Sequence, residues 1–591
     1  MIATFFPSGE RFVFQPGASL MTIAAQAGVS LDGNCGGKGV CGKCKVKVLS
    51  PDLGFRAACL YFPTTDVEVE IPATGKVTAE KGAAFDLPAD FKTEPGITKV
   101  FLSPEPESET GAEPSGFAEQ IKCRLGLPEP ATFPLPMLQE LPGLSRQDRG
   151  LSVTVAGGNI LDIEAGDTTA DRYGLAVDIG TTTVVGYLWR LSDGKLLGSQ
   201  AVANPQWVYG ADVISRIAFA AESRENMLEI QRLIVSCLSS LAAHLAGTAN
   251  IDPRHIYGVS VVGNTTMNHL FLGVDPQSLA LAPFTPVFRK PPGLSASDLG
   301  LAVNPRARVW LLPIIAGHVG SDITAGILAT DILRSSGYHL LIDIGTNGEI
   351  VLCGGGRGIA CSTAAGPAFE GATIYQGMRA AEGAVEKIIL AENVEISVVG
   401  NTVPLGICGS GVIDGVAELV KAGIVKKSGM MAEAEKAPLL DLPQEIKRRL
   451  RDSGNEQRRE FVVAYRSEAE DIVLTQRDIR EAQMAKGAIA AGTQILLDRF
   501  GIGADDLTRV HLAGVFGKHI DVASALTIGL LPPVSKERIV SVGNAAGIGA
   551  SLALLSETVR EKARMVSEIV EHVELSLCDE FSSEYMKAMK F

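Results

Sequence analysis

Leu175-Ala176-Val177-Asp178-Ile179-Gly180-Thr181-Thr182-Thr183-Val184-Val185 sets the architecture expected of this chain, and it returns as Leu340-Leu341-Ile342-Asp343-Ile344-Gly345-Thr346-Asn347-Gly348-Glu349-Ile350. Each copy is an apolar run, the tetrad Asp-Ile-Gly-Thr, and a second apolar run. Apolar and β-branched runs around a glycine turn are the pattern of two strands in a tight hairpin. Glycine removes the Cβ that would hold a ligand away from the backbone. The amides and hydroxyls that flank Gly180 and Gly345 then face outward as donors, an arrangement that receives phosphate. Asp178 and Asp343, at the strand ends, supply hard oxygens of the kind that hold Mg²⁺ largely through water. One such turn is weak evidence, because surface hairpins often carry Asp or Gly. Two turns with the same four central residues point to a nucleotide clamped between pseudo-equivalent halves.

A chain of 591 residues exceeds what one core sustains and divides into several domains. Its net charge of −14 offers no basic field for nucleic acid. We read no apolar run as approaching the length of a membrane span. Met1 to Phe14 lacks the basic segment and apolar core of a secretory signal. The expectation is a cytoplasmic protein with neither nucleic acid nor membrane as partner. Four of the ten cysteines fall between Cys35 and Cys59, a local cluster that reads as metal binding rather than disulfides. Cys123, Cys237, Cys353, Cys361, Cys408 and Cys578 stand singly in apolar segments and are expected to pack as small hydrophobes.

Residues 1–73 read as a first module. Thr4 to Phe14 suggests a hairpin, and Ser19 caps a short helix with Leu20, Ile23, Ala24 and Ala27 as its stripe and Gly28 as its stop. Cys35, Cys41 and Cys44 follow with spacing C-x5-C-x2-C. Lys45 to Leu49 alternates as a strand, Pro51 to Gly54 turns, and Phe55 to Leu60 returns carrying Cys59. Four thiolates on glycine-rich backbone suit a [2Fe–2S] cluster, whose potential depends on amides pointing at the sulfurs. A structural Cys₄ zinc site usually shows two C-x-x-C pairs, and only one is present. The module resembles a β-grasp ferredoxin with adrenodoxin-type spacing, although the interval from Cys44 to Cys59 is shorter than such ferredoxins usually have.

Residues 74–96, with Pro88 and Pro95, read as a linker. In residues 97–170 we expect a loop from Pro104 to Gly116, a helix from Phe117 to Leu125, and a hairpin of Leu151–Val155 with Ile160–Glu164 around Gly157-Gly158. No chemistry is visible there. From 171 onward, Ile214 to Leu245 is one long amphipathic stretch. Gly258 to Val262 is a buried strand running into a helix capped by Asn264 or Thr265, with His269 a structural residue. Gly317 to Asp322 opens a helix through Thr330. Gly409, Ser410 and Gly411 open another, and amides at a glycine-rich helix start attract anions. The stretch Ser362 to Arg379 is dense in glycine and gives no assignable contact. Thr475 with Asp478 makes a capping box for a helix to about Phe500.

The duplicated hairpin resembles phosphate-1 and phosphate-2 of the acetate and sugar kinase, Hsp70 and actin superfamily. Val510 to Gly517 resembles its adenosine motif, with Gly514 and Gly517 lining the nucleotide. Gly543-Asn544-Ala545-Ala546-Gly547 resembles its second connecting helix. Almost the whole chain resembles ATP-dependent reductive activators of corrinoid proteins, without the C-terminal cysteine cluster of their methanogen branch. The resemblance implies a multidomain α+β and α/β protein. Its parts would be a β-grasp ferredoxin domain (1–73), a linker (74–96), a small middle domain (97–170) and a large duplicated actin-like or ribonuclease H-like ATPase domain (171–591). It implies ATP-gated one-electron reduction of Co(II) to Co(I) in a methyltransferase or O-demethylase system. Cys35, Cys41, Cys44 and Cys59 would hold the cluster. Asp178 and Asp343 would hold Mg²⁺ or orient water, while Thr181, Thr182, Thr346 and Asn347 would hold phosphate. Partners would be a corrinoid protein, a low-potential electron donor and a second copy in a homodimer. The rival readings are an activator of a 2-hydroxyacyl-CoA dehydratase type enzyme and a metabolite kinase with a fused ferredoxin.

Overall fold

The computed structural model describes residues 1–7, 9–27, 29, 31, 39, 44–71, 85–88, 90–104, 116–127, 133–147, 149–439, 441–452, 459–467, 470–514, 517 and 519–591. Cys35, Cys41, Gly28, most of the loop from Pro104 to Gly116 and the first part of the linker lie outside these residues.

Alternation builds the first domain. Ala3, Phe5, Val46, Val48, Val67 and Val69 are buried while their neighbours face out, as strands with one covered face require. The five strands run in the order Glu10–Val13, Ile2–Phe6, Val67–Glu70, Lys45–Ser50, Gly54–Ala57, with the central pair parallel. Helix Leu20–Gln26 lies across them, and its Ser19 cap accepts the Thr22 amide at 3.2 Å. This is the expected β-grasp. The return strand stops at Ala57, however, and Cys59 stands in a one-turn 3₁₀ helix, Ala58–Leu60. The core of this domain does not close on itself. Trp207, Val208 and Leu233 of the nucleotide-binding part complete it.

The second half of the expected linker is fastened down. Phe85 packs on Tyr187 and Trp189 at ring distances of 5.9 and 5.5 Å, and the Glu94 amide donates to the Leu555 carbonyl at 2.8 Å. The small unit that follows is an antiparallel sheet of Ile97–Leu102, Leu151–Ala156 and Asn159–Ala165 with helix Phe117–Leu125. It also carries helix Leu135–Ser145, which the sequence reading did not anticipate because Pro136 and Pro142 obscure it. Lys99 is buried at the seam with the next sheet, donating to Glu164 at 2.7 Å and to the Tyr257 hydroxyl at 3.1 Å.

Two six-stranded sheets follow, and each is built the same way. In the first, Tyr173–Ile179, Thr183–Arg190 and Lys195–Ala203 pair antiparallel, while Ile256–Gly263 and Arg308–Leu311 add parallel beside Tyr173–Ile179. In the second, Tyr338–Ile344, Gly348–Gly354 and Arg357–Thr363 pair antiparallel, with Leu507–Ala513 and Ile539–Gly543 parallel beside Tyr338–Ile344. That is the duplicated ribonuclease H-like plan expected from the two hairpins.

Some expectations need correction. The amphipathic stretch from Ile214 is two helices, Val213–Glu222 and Arg224–Thr248, because Ser223 turns extended and caps the second through the Asn226 amide. Helix Arg224–Thr248 is long and apolar enough to cross a membrane, contrary to our reading of the sequence, but half of its apolar window is buried. Ile230, Ile234, Leu238 and Leu241 share one core with the first sheet. Cys353, Cys361 and Cys408 are buried as expected, whereas Cys123 is exposed on helix Phe117–Leu125.

Helices Ser321–Thr330 and Ala545–Leu555 cross between the two sheets. A Cβ on Gly549 would lie 2.1 Å from the Ala325 carbonyl oxygen, so only glycine admits this approach. The crossing brings the starts of both helices to the cleft between the phosphate turns.

Candidate functional site

The two central strands end at the cleft, and each delivers one carboxylate. Asp178 accepts a hydrogen bond from Asn544 Nδ2 at 3.0 Å, and Asn544 also caps its own helix through the Gly547 amide at 2.7 Å. Asp322 comes from the first turn of helix Ser321–Thr330. Glu349 pairs opposite Asp343 across the second hairpin and accepts from Ser362 Oγ at 3.2 Å. These acids interact. Burial pushes Asp178 up to about 7, with the nearby Asp343 adding to it. Burial pushes Asp343 up to about 6. Burial, then Asp343 and Asp178, push Asp322 up to about 8, while burial, then Asp322 and Asp343, raise Glu349. Desolvation penalises each charged carboxylate, and a neighbouring like charge compounds the penalty.

The turns between the strands are wired to their surroundings. The Gly180 amide donates to the Thr183 carbonyl and the Gly345 amide to the Asn347 carbonyl, each at 3.0 Å. Thr181 Oγ1 accepts from Asn264 Nδ2 at 2.9 Å, and its carbonyl accepts from Arg216 Nη2 at 2.6 Å. Asn204 Nδ2 donates to the Gly180 carbonyl at 2.8 Å, and its amide donates to Thr182 at 2.9 Å. Arg216 is fully buried behind the first turn, and that burial lowers it to about 9. Thr182 Oγ1 and Thr346 Oγ1, one from each turn, both donate to the carboxylate of Glu370, at 3.1 and 2.6 Å.

Gly514, at φ +88, follows strand Leu507–Ala513, and a Cβ there would lie 2.9 Å from Asp343 Oδ1. The backbone of the expected adenosine motif thus approaches the second turn without a side chain between. Gly517 closes that turn onto the Gly514 carbonyl at 3.1 Å. Gly409, Ser410 and Gly411 are buried at the start of helix Gly409–Lys421. Packing already requires the last glycine, since a Cβ would lie 2.2 Å from the Val385 carbonyl oxygen.

In the first domain, Cys44 and Cys59 are buried with their Sγ atoms 3.3 Å apart. A disulfide would hold them at about 2.05 Å. The short Cys44–Cys59 interval is spanned by the hairpin of Lys45–Ser50 and Gly54–Ala57, and the Ala58 amide closes on the Cys44 carbonyl at 2.8 Å. Two soft ligands side by side fit one iron of a cluster. Cys35 and Cys41 lie outside the described residues.

The structure therefore brings Asp178, Asp343 and both threonine-bearing turns together across one cleft. Asp322, Glu349, Glu370, Arg216, Asn204, Asn264 and Asn544 were missed as site residues. Asp322 and Asn544 stand at glycine-bearing helix starts, which is the one signal that could have marked them. Among the described residues no three His, Cys, Asp or Glu side chains are placed to hold a metal ion directly. The carboxylates fit Mg²⁺ held through water, because a divalent cation would relieve the repulsion that burial enforces.

Three family descriptions match in order: "2Fe-2S iron-sulfur cluster binding domain" over residues 4–67, "RACo middle region" over 173–335, and "C-terminal domain of RACo the ASKHA domain" over 337–591. The last two meet between the two sheets. The corrinoid activation enzyme RamQ of Eubacterium limosum is 36% identical over 99% of this chain and 98% of its own. A Methanosarcina barkeri reductase of a Co(II) methylated amine-specific corrinoid protein is 27% identical over 71% of this chain and 77% of its own. The solved structure of a reductive activator for a corrinoid, iron–sulfur protein aligns with TM-score 0.75 and 32% identity, covering 100% of this chain and 98% of that one.

Proposed function

The chain belongs to the family of reductive activators of corrinoid proteins, and from that premise we propose that it uses ATP to return an inactive Co(II) corrinoid protein to Co(I) in a methyltransferase or O-demethylase system. The observation that carries this reading is the shared core. Trp207 and Val208, in the 3₁₀ helix Pro205–Tyr209 whose cap Asn204 bonds the first phosphate turn, are packed into the ferredoxin domain. A [2Fe–2S] centre supplies one-electron transfer when bound, and plant-type centres sit near −400 mV, by order of magnitude. Each 100 mV uphill costs about 2.3 kcal/mol per electron. A clamp whose nucleotide states bind the acceptor differently can supply that drive.

Each residue then has a part. Cys44 and Cys59, with Cys35 and Cys41, hold the cluster. Asp178 and Asp343 hold Mg²⁺ through water or orient the attacking water. Asp322 and Glu349 stand behind it and add negative charge once the cation displaces their protons, and Asn544 fixes the Asp178 carboxylate. Thr181, Thr182, Thr346 and Asn347 receive the phosphates, and Gly180 and Gly345, whose amides are bonded inside the turns, keep side chains out of the way. Gly514 and Gly517 lie along the nucleotide, and the helix start at Gly409, Ser410 and Gly411 faces it. The donor is a low-potential one-electron carrier, as a centre of this kind requires. A cluster of four cysteines within residues 35–59, read as metal ligands, suits a cytoplasmic, reducing compartment. Assembly as a homodimer is carried by the family resemblance, and light scattering at twice 62.1 kDa would support it.

The test is anaerobic. With a Co(II) corrinoid protein and reductant present, ATP is expected to remove the Co(II) electron paramagnetic resonance signal. Loss of signal independent of ATP, or no loss, refutes the reading. Asp343→Ala is expected to lower ATP turnover at least a hundredfold, on the order of what loss of an electrostatic group costs. The visible spectrum of the cluster should stay intact. Unchanged turnover would remove the second turn from the nucleotide site.

A further inference from the structure

Glu370 lies in the glycine-dense stretch that the sequence left without a partner, and its two oxygens take one hydroxyl from each half of the clamp. Thr182 donates from the first turn and Thr346 from the second. These are hydroxyls assigned above to the phosphates. Arg216, buried behind the first turn, feels the negative charge of Glu370. A hydroxyl has one proton to donate, and two anions cannot share so confined a space without strong repulsion. A phosphate and the Glu370 carboxylate therefore exclude one another at this place.

We infer that Glu370 is a built-in occupant of the phosphate site: it bridges the two turns when no nucleotide is present and leaves when a triphosphate arrives. The surrounding chain suits that exchange. The Glu370 and Gly371 amides close tight turns onto the Pro367 and Ala368 carbonyls, at 3.1 and 3.0 Å. Beyond them the segment is fastened on the far side, where Tyr375 donates to Asp478 Oδ1 at 2.7 Å and Gln376 Nε2 to the Asp471 carbonyl at 3.0 Å. Ala368 and Phe369 are buried in the core of the second half, so the backbone on either side of Glu370 is held and the carboxylate moves on its own side chain. Arrival of phosphate would be registered as release of this carboxylate from both turns. The inference rests on the nucleotide reading given above.

Calorimetric titration of full-length wild type, Glu370→Ala and Glu370→Gln with Mg–ATP tests it. Glu370→Ala is expected to bind ATP about tenfold tighter, because the nucleotide no longer displaces an anion bonded to two hydroxyls. Glu370→Gln should fall between, since its single carbonyl oxygen still accepts one hydroxyl but carries no charge. If the alanine variant does not fold, the glutamine variant decides alone. Affinity that is unchanged or weaker in the folded variants overturns the inference, and weaker binding would place Glu370 in the service of the bound nucleotide. Failure of the wild type to bind ATP would instead refute the nucleotide reading.

Discussion

Asp322 shows what the cleft costs a single residue. Burial first, and then Asp343 and Asp178, hold its carboxyl at about 8. A carboxyl raised in the folded state binds its proton more tightly there than in the unfolded chain. Its contribution to stability is whole below the unfolded value, near 3.8, and is lost as pH rises through about 8. Asp322→Asn removes that loss. In protein free of nucleotide and Mg²⁺, the variant is expected to melt a few degrees higher than wild type at pH 8.5, as about 1–2 kcal/mol would give in a large domain. The gap should close toward pH 5, and Mg²⁺ should narrow it at high pH by pairing the wild-type charge. Melting curves by scanning fluorimetry from pH 5 to 9 check this, and a gap independent of pH would show that Asp322 carries no such burden. Asp178 and Asp343 were legible in the sequence because the same tetrad occurs twice. Asp322 and Asn544 were not, because their convergence depends on elements far apart in the chain; Glu349 sits in the second hairpin itself, but only strand register reveals that it faces Asp343.

The crossing of helices Ser321–Thr330 and Ala545–Leu555 is where an element rather than a residue sets the site. The stretch from Gly543 was read by its resemblance to the superfamily's second connecting helix, and the structure gives the reason for its small residues at Gly549. A methyl there would meet the Ala325 carbonyl oxygen, carbon and Cα at 2.1, 2.5 and 2.6 Å. These are backbone atoms, so the helices themselves must part. Overpacking of this kind costs typically about 1–3 kcal/mol. Because Asn544 leads one helix and Asp322 the other, parting them also moves both residues from Asp178. Gly549→Ala is therefore expected to lower the melting temperature by several degrees and weaken ATP binding at least tenfold, with the ferredoxin spectrum unchanged. Full ATP affinity in a destabilised variant would separate the crossing from the site. Other elements were less legible. Ser223 splits one hydrophobic periodicity into two helices by capping the second, which periodicity cannot reveal. Leu135–Ser145 is helical in spite of Pro142, because tertiary burial of Met137 and Leu141 outweighs local propensity.

At the scale of the whole molecule, the question is how a phosphate turn reaches an iron–sulfur domain. The path is short and made of named bonds. Asn204 holds the first turn through the Gly180 and Thr182 carbonyls, and its own Oδ1 accepts the Gln206 amide at 3.0 Å. Gln206 Nε2 is fixed to the Ile230 carbonyl at 3.0 Å, and Trp207 comes next in the same 3₁₀ helix, Pro205–Tyr209. Trp207 and Val208 are in the core of the ferredoxin domain. A change at the turn is therefore a change in the seat of the redox domain, with one helical turn between them. Trp207→Ala should loosen the seat by about 3 kcal/mol, as loss of a buried aromatic does, without touching the turn or the cysteines. We expect ATP hydrolysis within about threefold of wild type and an unchanged cluster spectrum, but electrons delivered to the Co(II) corrinoid protein per ATP reduced at least tenfold, the two orders of magnitude in docked population that such a loss allows. Asn204→Ala should uncouple in the same sense and also weaken ATP binding, because it removes the tie to Gly180. Electrons per ATP unchanged in Trp207→Ala would mean that the redox domain works from another position, and drive from the nucleotide would then have to reach the acceptor through contacts of the ATPase lobes themselves.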